Sequence, residues 1–343
     1  MISFRRLDLN EVPWEQLDSF ADRVVFQTKP WLDFISASQN GDIVVSEIRE
    51  DHHLIGYFSG VLVRKTGLPL LGSSFPGWTT PYVGFNLLPG HSRSRILPSF
   101  TTWVFEELKC LHFEVSDLHF SPEDANGVDV SANSYETYQS DLRRSEDELF
   151  GSMASACRRC IRKAEKSGVT VEEVSDASFA DEYYEQLKDV FAKQGKTPTY
   201  GLDRVHLLIQ HMQPSGNLLL LRARSADGLC IGTGIYPGFN KAAEFWGNAS
   251  WREHQHLRPN ETLHWYAMRY WKKRGAELFD WGGGGEYKEK YGVAPLMVPW
   301  FYKSRYKWMT TARDNLRSLY YNTRPLIGRL RGKKAPSLET RDQ

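Results

Sequence analysis

The sequence contains little cysteine, with only Cys110, Cys157, Cys160 and Cys230 among 343 residues. So few cysteines do not form a disulfide framework, and they suit a reducing compartment. Cys157 and Cys160 make a single C-x-x-C, but neither a second pair nor a nearby histidine completes the four ligands of a zinc site. We therefore expect a cytoplasmic protein that holds no metal.

The sequence also lacks long hydrophobic runs and an excess of charge of either sign. No stretch of about 18 apolar residues occurs, so no transmembrane segment is predicted. The first residues, 1–8, become polar too early for a secretory signal. There are 43 basic and 42 acidic side chains, and the net charge is +1. This balance gives no overall attraction to DNA or to an anionic membrane, so a charged partner has to be bound by a local patch.

The second half of the sequence shows the clearest secondary-structure pattern. Its order is strand, helix, helix, three strands, helix and strand. The last helix has both end signals, since Asn260 stands where a cap is expected, and Lys272, Lys273 and Gly275 mark its end. The predicted elements are the strand 169–174, the helices 180–193 and 202–212, the strands 217–223, 229–236 and 242–246, the helix 260–274 and the strand 277–281.

A weaker copy of this order is present in the first half. Its predicted elements are the strand 3–7, the helices 14–25 and 31–37, the strands 43–48 and 54–64, extended pieces to residue 85, the helix 92–111 and the strand 113–118. A chain of 343 residues with 41% hydrophobic content is long enough for two domains. We predict two units, 1–144 and 145–310, followed by a basic helix and disordered tail over 311–343.

A run of four glycines, 282–285, follows the last predicted strand. Asp280 stands just before it, and Glu286, Tyr287 and Lys288 stand just after it. Glycine tolerates backbone angles that other residues avoid and lets a ligand approach the main chain, while these side chains supply acid, base and hydrogen-bonding groups. We therefore predict a ligand site here, with a flexible loop and a solvated charge run as the alternative.

The order of elements in each half is that of the GNAT acyltransferase fold. A tandem pair of such units resembles the Fem-type peptidyltransferases and related acyltransferases of bacterial polysaccharide biosynthesis. Three segments carry the resemblance: 158–169 is similar to the family's basic helix, 279–282 to its aspartate strand, and 287–292 to its aromatic-Lys-x-x-aromatic-Gly element. In the first half the best match is 26–31. The resemblance implies an α/β fold with a mixed sheet and two tandem GNAT-like acyltransferase units.

The reaction implied by this resemblance is attack of an amine or hydroxyl on an activated acyl carbon. Such an enzyme has to align two substrates, remove a proton from the nucleophile and stabilise an oxyanion. Glu244 lies on the last strand of the predicted meander and Asp280 ends the neighbouring predicted strand, and these two are the candidate bases. Lys288 is the candidate for stabilising negative charge, with Tyr287 beside it. The alternatives are an exposed Glu244, an Asp280 that braces the glycine loop, and a surface Lys288.

Acyl-CoA, in particular acetyl-CoA, is the donor that the resemblance favours. The Arg/Gln-x-x-Gly-x-Gly loop by which simple GNAT enzymes hold the pyrophosphate is absent before the helix at residue 260. Free N–H groups at that helix start can still bind an anion. The cofactor-binding candidates are therefore Asn260, Arg258 and Arg159, and an ordinary helix cap is the alternative.

The segment 155–166 is predicted to be a helix with one basic face. At 100° per residue, five basic side chains share an arc of about 140°, and apolar residues lie opposite. Such a face suits a phosphate-bearing donor, a nucleotide sugar, RNA or an anionic polymer, although a solvated surface face has the same pattern. The basic residues are Arg158, Arg159, Arg162, Lys163 and Lys166, and the apolar ones are Met153, Cys157, Ile161 and Ala164.

Aromatic and polar residues of the second half form the candidate acceptor site. Aromatic rings can stack on a sugar or on adenine, but a tryptophan-rich core has the same composition. His264 is the one helical histidine of this set, and a packed histidine is its alternative. The substrate-binding candidates are Tyr200, Tyr236, Trp246, His264, Trp281, Glu286 and Tyr287.

Three functions follow from these features. The first is an N-acyltransferase that moves an acyl group from acyl-CoA to an amine of an amino sugar or of a cell-envelope or polysaccharide precursor. The second is an aminoacyl-tRNA-dependent, Fem-type peptidyltransferase acting on a peptidoglycan precursor. The third is a non-catalytic ligand-binding protein of polysaccharide assembly. The basic segment 324–334 suits weak peripheral contact with an anionic membrane.

Overall fold

The computed structural model describes residues 1–65, 67–75, 77–193 and 195–309. These ranges form fourteen strands and eight α-helices. The strands are β1 (Ile2–Arg6), β2 (Asp42–Glu50), β3 (His53–Lys65), β4 (Leu68–Gly72), β5 (Gly84–Leu87), β6 (His112–Ser116), β7 (Ser131–Asp141), β8 (Thr170–Glu173), β9 (Leu218–Arg224), β10 (Cys230–Phe239), β11 (Ala242–Glu244), β12 (Gly247–Ser250), β13 (Leu278–Asp280) and β14 (Pro295–Ser304). The helices are α1 (Trp14–Asp18), α2 (Lys29–Gln39), α3 (Arg93–Glu106), α4 (Glu146–Ser152), α5 (Ser155–Lys166), α6 (Phe179–Ala192), α7 (Leu202–Met212) and α8 (Pro259–Lys273).

The basic helix and tail predicted over 311–343, and with them the basic segment 324–334, lie outside the described residues. Among the helices within the described ranges, none combines the length and the apolar character that crossing a bilayer requires.

The strands form one mixed sheet. Along the sheet the order is β1, β2, β3, β4, β6, β14, β7, β13, β11, β10, β9 and β8, with β5 paired to β3 and β12 paired to β10. Two of the pairs are parallel, β4 with β6 and β11 with β13, and the other described pairs are antiparallel. A long mixed sheet with helices connecting its parallel strands is the predicted α/β class.

The two halves repeat the same succession of elements. The first half runs β1, α1, α2, β2, β3, β4, α3 and β6, with β5 inserted before α3. The second runs β8, α6, α7, β9, β10, β11, α8 and β13, with β12 inserted before α8. In each half one helix, α3 or α8, leads from the first strand of the parallel pair to the second. The predicted tandem repeat is therefore confirmed.

Two strands cross between the halves. β14, from the end of the described chain, lies between β6 and β7, and β7 pairs on its other side with β13. The division at residue 144 is thus a division along the chain, while the sheet continues across it. As a division into folding units it stays a prediction.

The buried side chains form three clusters. One belongs to the first half and contains Phe58, Phe100 and also Phe301 of β14. A second belongs to the second half and is centred on α8 and β13. The third joins the halves, because Trp31 of α2 and Val205 of α7 belong to the same cluster. The halves therefore share hydrophobic burial as well as strands.

The start of α8 differs from the prediction. The helix begins at Pro259, and Arg258 occupies the capping position with φ of +64°. Proline is favoured at the first helical position because its missing N–H would have no partner there. Asn260 is consequently inside the first turn, and its buried Oδ1 has no hydrogen-bond partner among the described residues. The prediction that Asn260 caps the helix is wrong.

The helix predicted over 14–25 is also shorter than expected. α1 ends at Asp18, and a short 3₁₀ turn follows at Val25–Gln27. The hydroxyl of Ser19 donates to the carbonyl of Gln16, which competes with continuation of the helix. Asp22 then accepts a hydrogen bond from the backbone N–H of Leu87 at 3.0 Å. Long-range bonds of this kind are invisible to local periodicity.

We expect Phe301→Ala to destabilise the protein by about 3–5 kcal/mol, because the buried ring packs 4.7 Å from Phe120 in the core of the first half. The matched control is Met297→Ala on the same strand, since Met297 is 55% exposed. Urea denaturation measures both, and hydrogen exchange should show faster exchange in β6 for the first variant only. Equal stability of the two variants would contradict the assignment of β14 to the core of the first half.

Candidate active site

A β-bulge interrupts the strand that carries Glu244. β11 pairs with β10 through Gly238 and Ala243, whereas β12 pairs with β10 through Ile235 and Gly247. Between these two pairs there are three residue steps along β10, from 238 to 235, but four along the partner strand, from 243 to 247. The partner strand therefore contains one extra residue. The interruption falls at 245–246, directly after β11. Bulges of this kind redirect side chains and are common beside active sites.

Glu244 and Asp280 come together at the carboxyl ends of the parallel strands. They are register partners, Glu244 at the end of β11 and Asp280 at the end of β13. The ends of parallel strands meet at the same sheet edge, which is where ligands bind in open α/β sheets. The two candidate bases are therefore neighbours.

The Asp280 carboxylate is fully engaged in hydrogen bonds. It accepts from the hydroxyl of Thr137, from the side-chain amide of Gln139 at 3.0 Å, and from the hydroxyl of Tyr82 at 3.1 Å. It also accepts from the backbone N–H of Gly282 at 2.7 Å. The side chain is 1% exposed and does not line the cavity described below. These bonds match the alternative in which Asp280 braces the glycine loop.

Glu244 has far fewer partners. The hydroxyl of Tyr82 donates to Oε2 at 3.4 Å, and Oε1 accepts no hydrogen bond from any residue that the structure describes. Glu244 is 5% exposed, so the alternative of a solvent-facing side chain is excluded. Burial raises the pKa of Glu244 well above its ordinary value of 4.5, and the carboxylate of Asp280 raises it further. The positive charge of Lys288 lowers the pKa but does not cancel this rise.

Lys288 is buried under the glycine loop. Its Nζ donates to three successive carbonyl oxygens, those of Trp281, Gly282 and Gly283, at 2.5, 2.8 and 3.0 Å. Those bonds use all three ammonium protons. Burial lowers the pKa of Lys288, an effect opposed by the carboxylates of Glu244 and Asp280. The alternative of a surface cation is excluded, because the residue is 2% exposed.

A cavity of about 510 Å³ opens at these strand ends. It lies between the two halves, because residues from both form its walls. Glu244 and Lys288 line it, whereas Asp280 lies behind the lining. The first half contributes Ser74, Phe75, Gly77, Thr79, Thr80, Pro81, Glu114, Ser116, Ser134 and Tyr135, and the second contributes 244–246, 281–284, Tyr287, Lys288 and Trp300 of β14.

Three of the aromatic substrate-binding candidates line this cavity. Trp246 donates its indole N–H to the carbonyl of Thr79 at 3.0 Å, which fixes the ring against the other half. Trp281 is 1% exposed and donates to Ser140. Tyr287 is 51% exposed and stands at the mouth.

The other substrate-binding candidates lie outside the cavity lining. Tyr236 and His264 are buried in the second-half core, where the Tyr236 hydroxyl is 3.0 Å from Nδ1 of His264. Burial lowers the pKa of His264 to about 3, so the ring is neutral. The hydroxyl of Tyr200 is hydrogen-bonded to that of Tyr183 at 2.7 Å, and its ring packs against the ring of Trp246. Glu286 is exposed on the loop.

The cofactor-binding candidates also lie outside the lining. Arg159 is exposed on α5 and donates to the hydroxyl of Ser155. Arg258 and Asn260 stand at the start of α8, where the buried Glu261 forms a 2.7 Å ion pair with Lys290. A carboxylate therefore already complements the positive end of this helix dipole.

The predicted face of α5 is present as expected. The apolar residues Cys157, Ile161 and Ala164 are buried, and Arg162 and Lys166 are exposed on the other side. No group of three or more metal-ligating side chains occurs within the ranges that the structure describes.

The sequence did not reveal which residues of the first half help to form this site. Tyr82 bridges the two acids, Thr137 and Gln139 hold Asp280, and Glu114 and Tyr135 line the cavity. One signal was available. Residues 73–75 and 77–83 form no helix or strand, and the segment is rich in proline, glycine and aromatic residues, which is typical of functional loops.

Comparison with known proteins agrees with this geometry. Residues 151–301 match the family model of the acetyltransferase (GNAT) domain. Curated protein sequences gave no significant match.

Solved structures resemble the chain over most of its length. FemX aligns with a TM-score of 0.69 at 12% identity, covering 87% of this chain and 96% of FemX. A tandem GNAT protein from the clavulanic acid biosynthesis pathway aligns at 0.50 and 11% identity, covering 89% and 98%. L-PGS from Bacillus licheniformis aligns at 0.50 and 11% identity, covering 83% and 95%.

At sequence identities of 11–12% the structural likeness shows the fold alone. The family assignment rests on the match over residues 151–301. Both agree with the repeated succession of elements. Residues 151–301 belong to the acetyltransferase (GNAT) domain family, and the chain has a fold similar to those of FemX and of the tandem GNAT protein.

Proposed function

We propose that the chain is an N-acyltransferase that moves an acyl group from acyl-CoA to an amine of an amino sugar or of a cell-envelope or polysaccharide precursor. Glu244 is the observation that carries the proposal. It is a buried carboxyl with a raised pKa, one of its oxygens has no described partner, and it lines the cavity at the strand ends. When it is ionised, a carboxyl whose pKa is raised is a stronger proton acceptor than an ordinary carboxylate.

The reaction then needs three events. The amine nitrogen attacks the thioester carbon, and a C–N bond forms as the carbonyl π electrons move to oxygen. The nitrogen gives a proton to Glu244, directly or through a water. The electron pair on oxygen re-forms the carbonyl as the C–S bond breaks, and the thiolate leaves with the C–S electrons. Glu244 lines the cavity, and its Oε1 has no hydrogen-bond partner among the described residues, so that oxygen is available for the proton. Asp280, with its four hydrogen bonds, positions the strand end instead of acting as the base.

Lys288 takes a positioning role in this proposal. Its three protons are donated to backbone carbonyls, so it has none left for the substrate. It therefore shapes the glycine loop and lends its charge to the site.

The lining of the cavity supports a sugar-like acceptor. Trp246, Trp300 and Tyr135 present aromatic faces, and Glu114 and Ser116 present hydrogen-bonding groups. Aromatic faces with a few polar groups are suited to a sugar ring. Acetyl-CoA as donor is supported by the family description of residues 151–301. The four free cysteines suit the cytoplasm, where we place the reaction.

Aminoacyl-tRNA is the second candidate donor, favoured by the exposed basic face of α5. Arg159, Arg162, Lys163 and Lys166 are all exposed on that helix. A basic face binds a phosphate backbone through counterion release. In this case the chain would be a Fem-type peptidyltransferase.

We expect Glu244→Gln to lower the rate of acyl transfer by about 10²-fold or more, since loss of a general base has that effect. The assay measures thiol release from acetyl-CoA with a panel of amines that includes glucosamine. The matched control is Glu253→Gln, whose carboxyl is 77% exposed, and it should retain the wild-type rate. A fully active Glu244→Gln contradicts the assigned base. An inactive wild type that still binds the sugar would favour the non-catalytic function.

Glu244→Gln should also be more stable than the wild type at neutral pH. The folded protein holds the Glu244 proton above the ordinary pKa of 4.5, whereas the unfolded chain releases it. Wild-type stability is therefore lost relative to the variant as the pH rises from about 4.5 toward the raised pKa, and the difference then stays constant. Urea unfolding from pH 4 to 9 measures it. A difference that does not grow with pH would refute the raised pKa.

The two donors are separated by charge reversal on α5. We expect Arg162→Glu with Lys166→Glu to leave acetyl-CoA turnover unchanged, because both side chains are exposed and lie outside the cavity lining. If aminoacyl-tRNA is the donor, the same double variant should weaken tRNA binding by about tenfold or more at low salt. Filter binding and calorimetric titration with acetyl-CoA distinguish the two outcomes.

A further inference from the structure

The segment 77–81 of the first half forms part of the cavity wall and belongs to no helix or strand. We call it the wall loop, and all of its residues except Trp78 line the cavity. Three successive carbonyl oxygens of this loop, those of Gly77, Trp78 and Thr79, accept hydrogen bonds from side chains of the second half. A segment without a helical or sheet ladder depends on such bonds for its shape. The second half therefore shapes a wall that the first half provides.

Arg204 of α7 holds two of these carbonyls. Its two terminal nitrogens donate to the carbonyl of Gly77, at 3.0 Å, and to that of Trp78. The guanidinium is planar and presents its N–H groups in a fixed fork, so two neighbouring carbonyls bound to it are held in one orientation. Its carbon also lies 6.0 Å from the ring centre of Phe34 of α2, which limits its movement.

Trp246 joins the wall loop to the strand that carries Glu244. Its indole N–H donates to the carbonyl of Thr79 at 3.0 Å, and its ring lines the cavity. Its backbone N–H donates to β10, whereas the backbone N–H of the preceding residue donates to β13. Trp246 thus lies at the bulge itself, two residues after the candidate base. The loop and the base are connected through this one side chain.

Thr79 has a backbone conformation that needs support from outside the loop. Its φ is +54°, a left-handed value that β-branched residues rarely adopt. Such conformations persist only where the surrounding structure imposes them, and they are concentrated at ligand sites. The bond from Trp246 to the Thr79 carbonyl supplies this constraint, together with the bonds from Arg204 to the two preceding carbonyls.

We propose that Arg204 and Trp246 are positioning residues, which hold the wall loop as the acceptor-specificity wall of the cavity. This inference rests on the proposed acyl transfer. The donor is expected on the side of the second half, because the family match covers residues 151–301. The wall loop belongs to the first half and therefore faces the acceptor. Since Trp246 also ties this loop to the strand of Glu244, one set of contacts aligns the acceptor amine with the base.

Exchange of indole protons tests the shared role of the two residues without any turnover. Arg204→Met keeps the apolar stem and removes the donors. In this variant we expect the indole N–H of Trp246 to exchange with deuterium about tenfold faster than in the wild type, because the loop that it binds is less restrained. The control is the indole N–H of Trp271, which donates to the carbonyl of Tyr236 at 3.2 Å in the core of the second half and should exchange at an unchanged rate.

Trp246→Phe tests the acceptor wall, because it keeps an aromatic ring and removes the N–H. The assay uses acetyl-CoA and the amine of the panel that the wild type acylates best. We expect KM for the amine to rise by about tenfold, with KM for acetyl-CoA unchanged within about twofold. The matched control is Trp271→Phe, which loses a similar indole bond outside the cavity lining and should keep both constants.

Three results would overturn the proposal. Equal exchange of the Trp246 indole in Arg204→Met and the wild type would show that Arg204 does not hold the loop. A raised KM for acetyl-CoA with an unchanged KM for the amine would place the loop on the donor side. Equal changes in Trp246→Phe and Trp271→Phe would show a general loss of stability.

Failure of the proposed function gives a different result. A wild type that acylates no amine would refute the acyl transfer, and with it the acceptor role of the wall loop. The exchange of the Trp246 indole would still decide whether Arg204 and Trp246 hold one loop.

Discussion

The site depends on the buried carboxylate of Asp280. Its hydrogen bonds come from the loop of its own strand, through Gly282, and from the other half of the chain, through Tyr82, Thr137 and Gln139. A buried carboxylate is tolerated only when such donors replace water, so the two halves are held in one arrangement around it. The end of β13, the glycine loop and the cavity wall are all fixed by these bonds.

The same hydrogen bonds give Asp280 and Glu244 different environments. The hydroxyl of Tyr82 has one proton and lies closer to Asp280, at 3.1 Å, than to Glu244, at 3.4 Å. When that proton goes to Asp280, the buried Glu244 is left with a weak partner, which favours its protonated form. One acid is therefore permanently engaged, and the other is ready to exchange a proton. Burial alone would not separate two adjacent carboxylates in this way.

The sequence predicted the elements of the second half because each has an apolar face of regular period, and α5 and α7 are the clearest cases. It also placed Glu244 and Asp280 on neighbouring strands, which the structure pairs. The bulge after Glu244 was not predictable, because one extra residue in a strand leaves no mark on periodicity. Tyr82 was missed for another reason: its partner Asp280 is 198 residues away, and pairing over such a distance is set by the whole sheet.

The first unit contains the equivalent of these strand ends, but without the pair of acids. Its parallel pair ends with Gly72 opposite Glu114, at the place where the second unit has Glu244 opposite Asp280. A Cβ at Gly72 would lie 2.2 Å from the ring of Phe75, so no acid fits there without repacking. Because β14 and β7 lie between the two parallel pairs, both strand ends face the same cavity. The two units therefore form two unlike walls of one cavity. In the function proposed above, the second unit supplies the base and the first shapes the space for the acceptor.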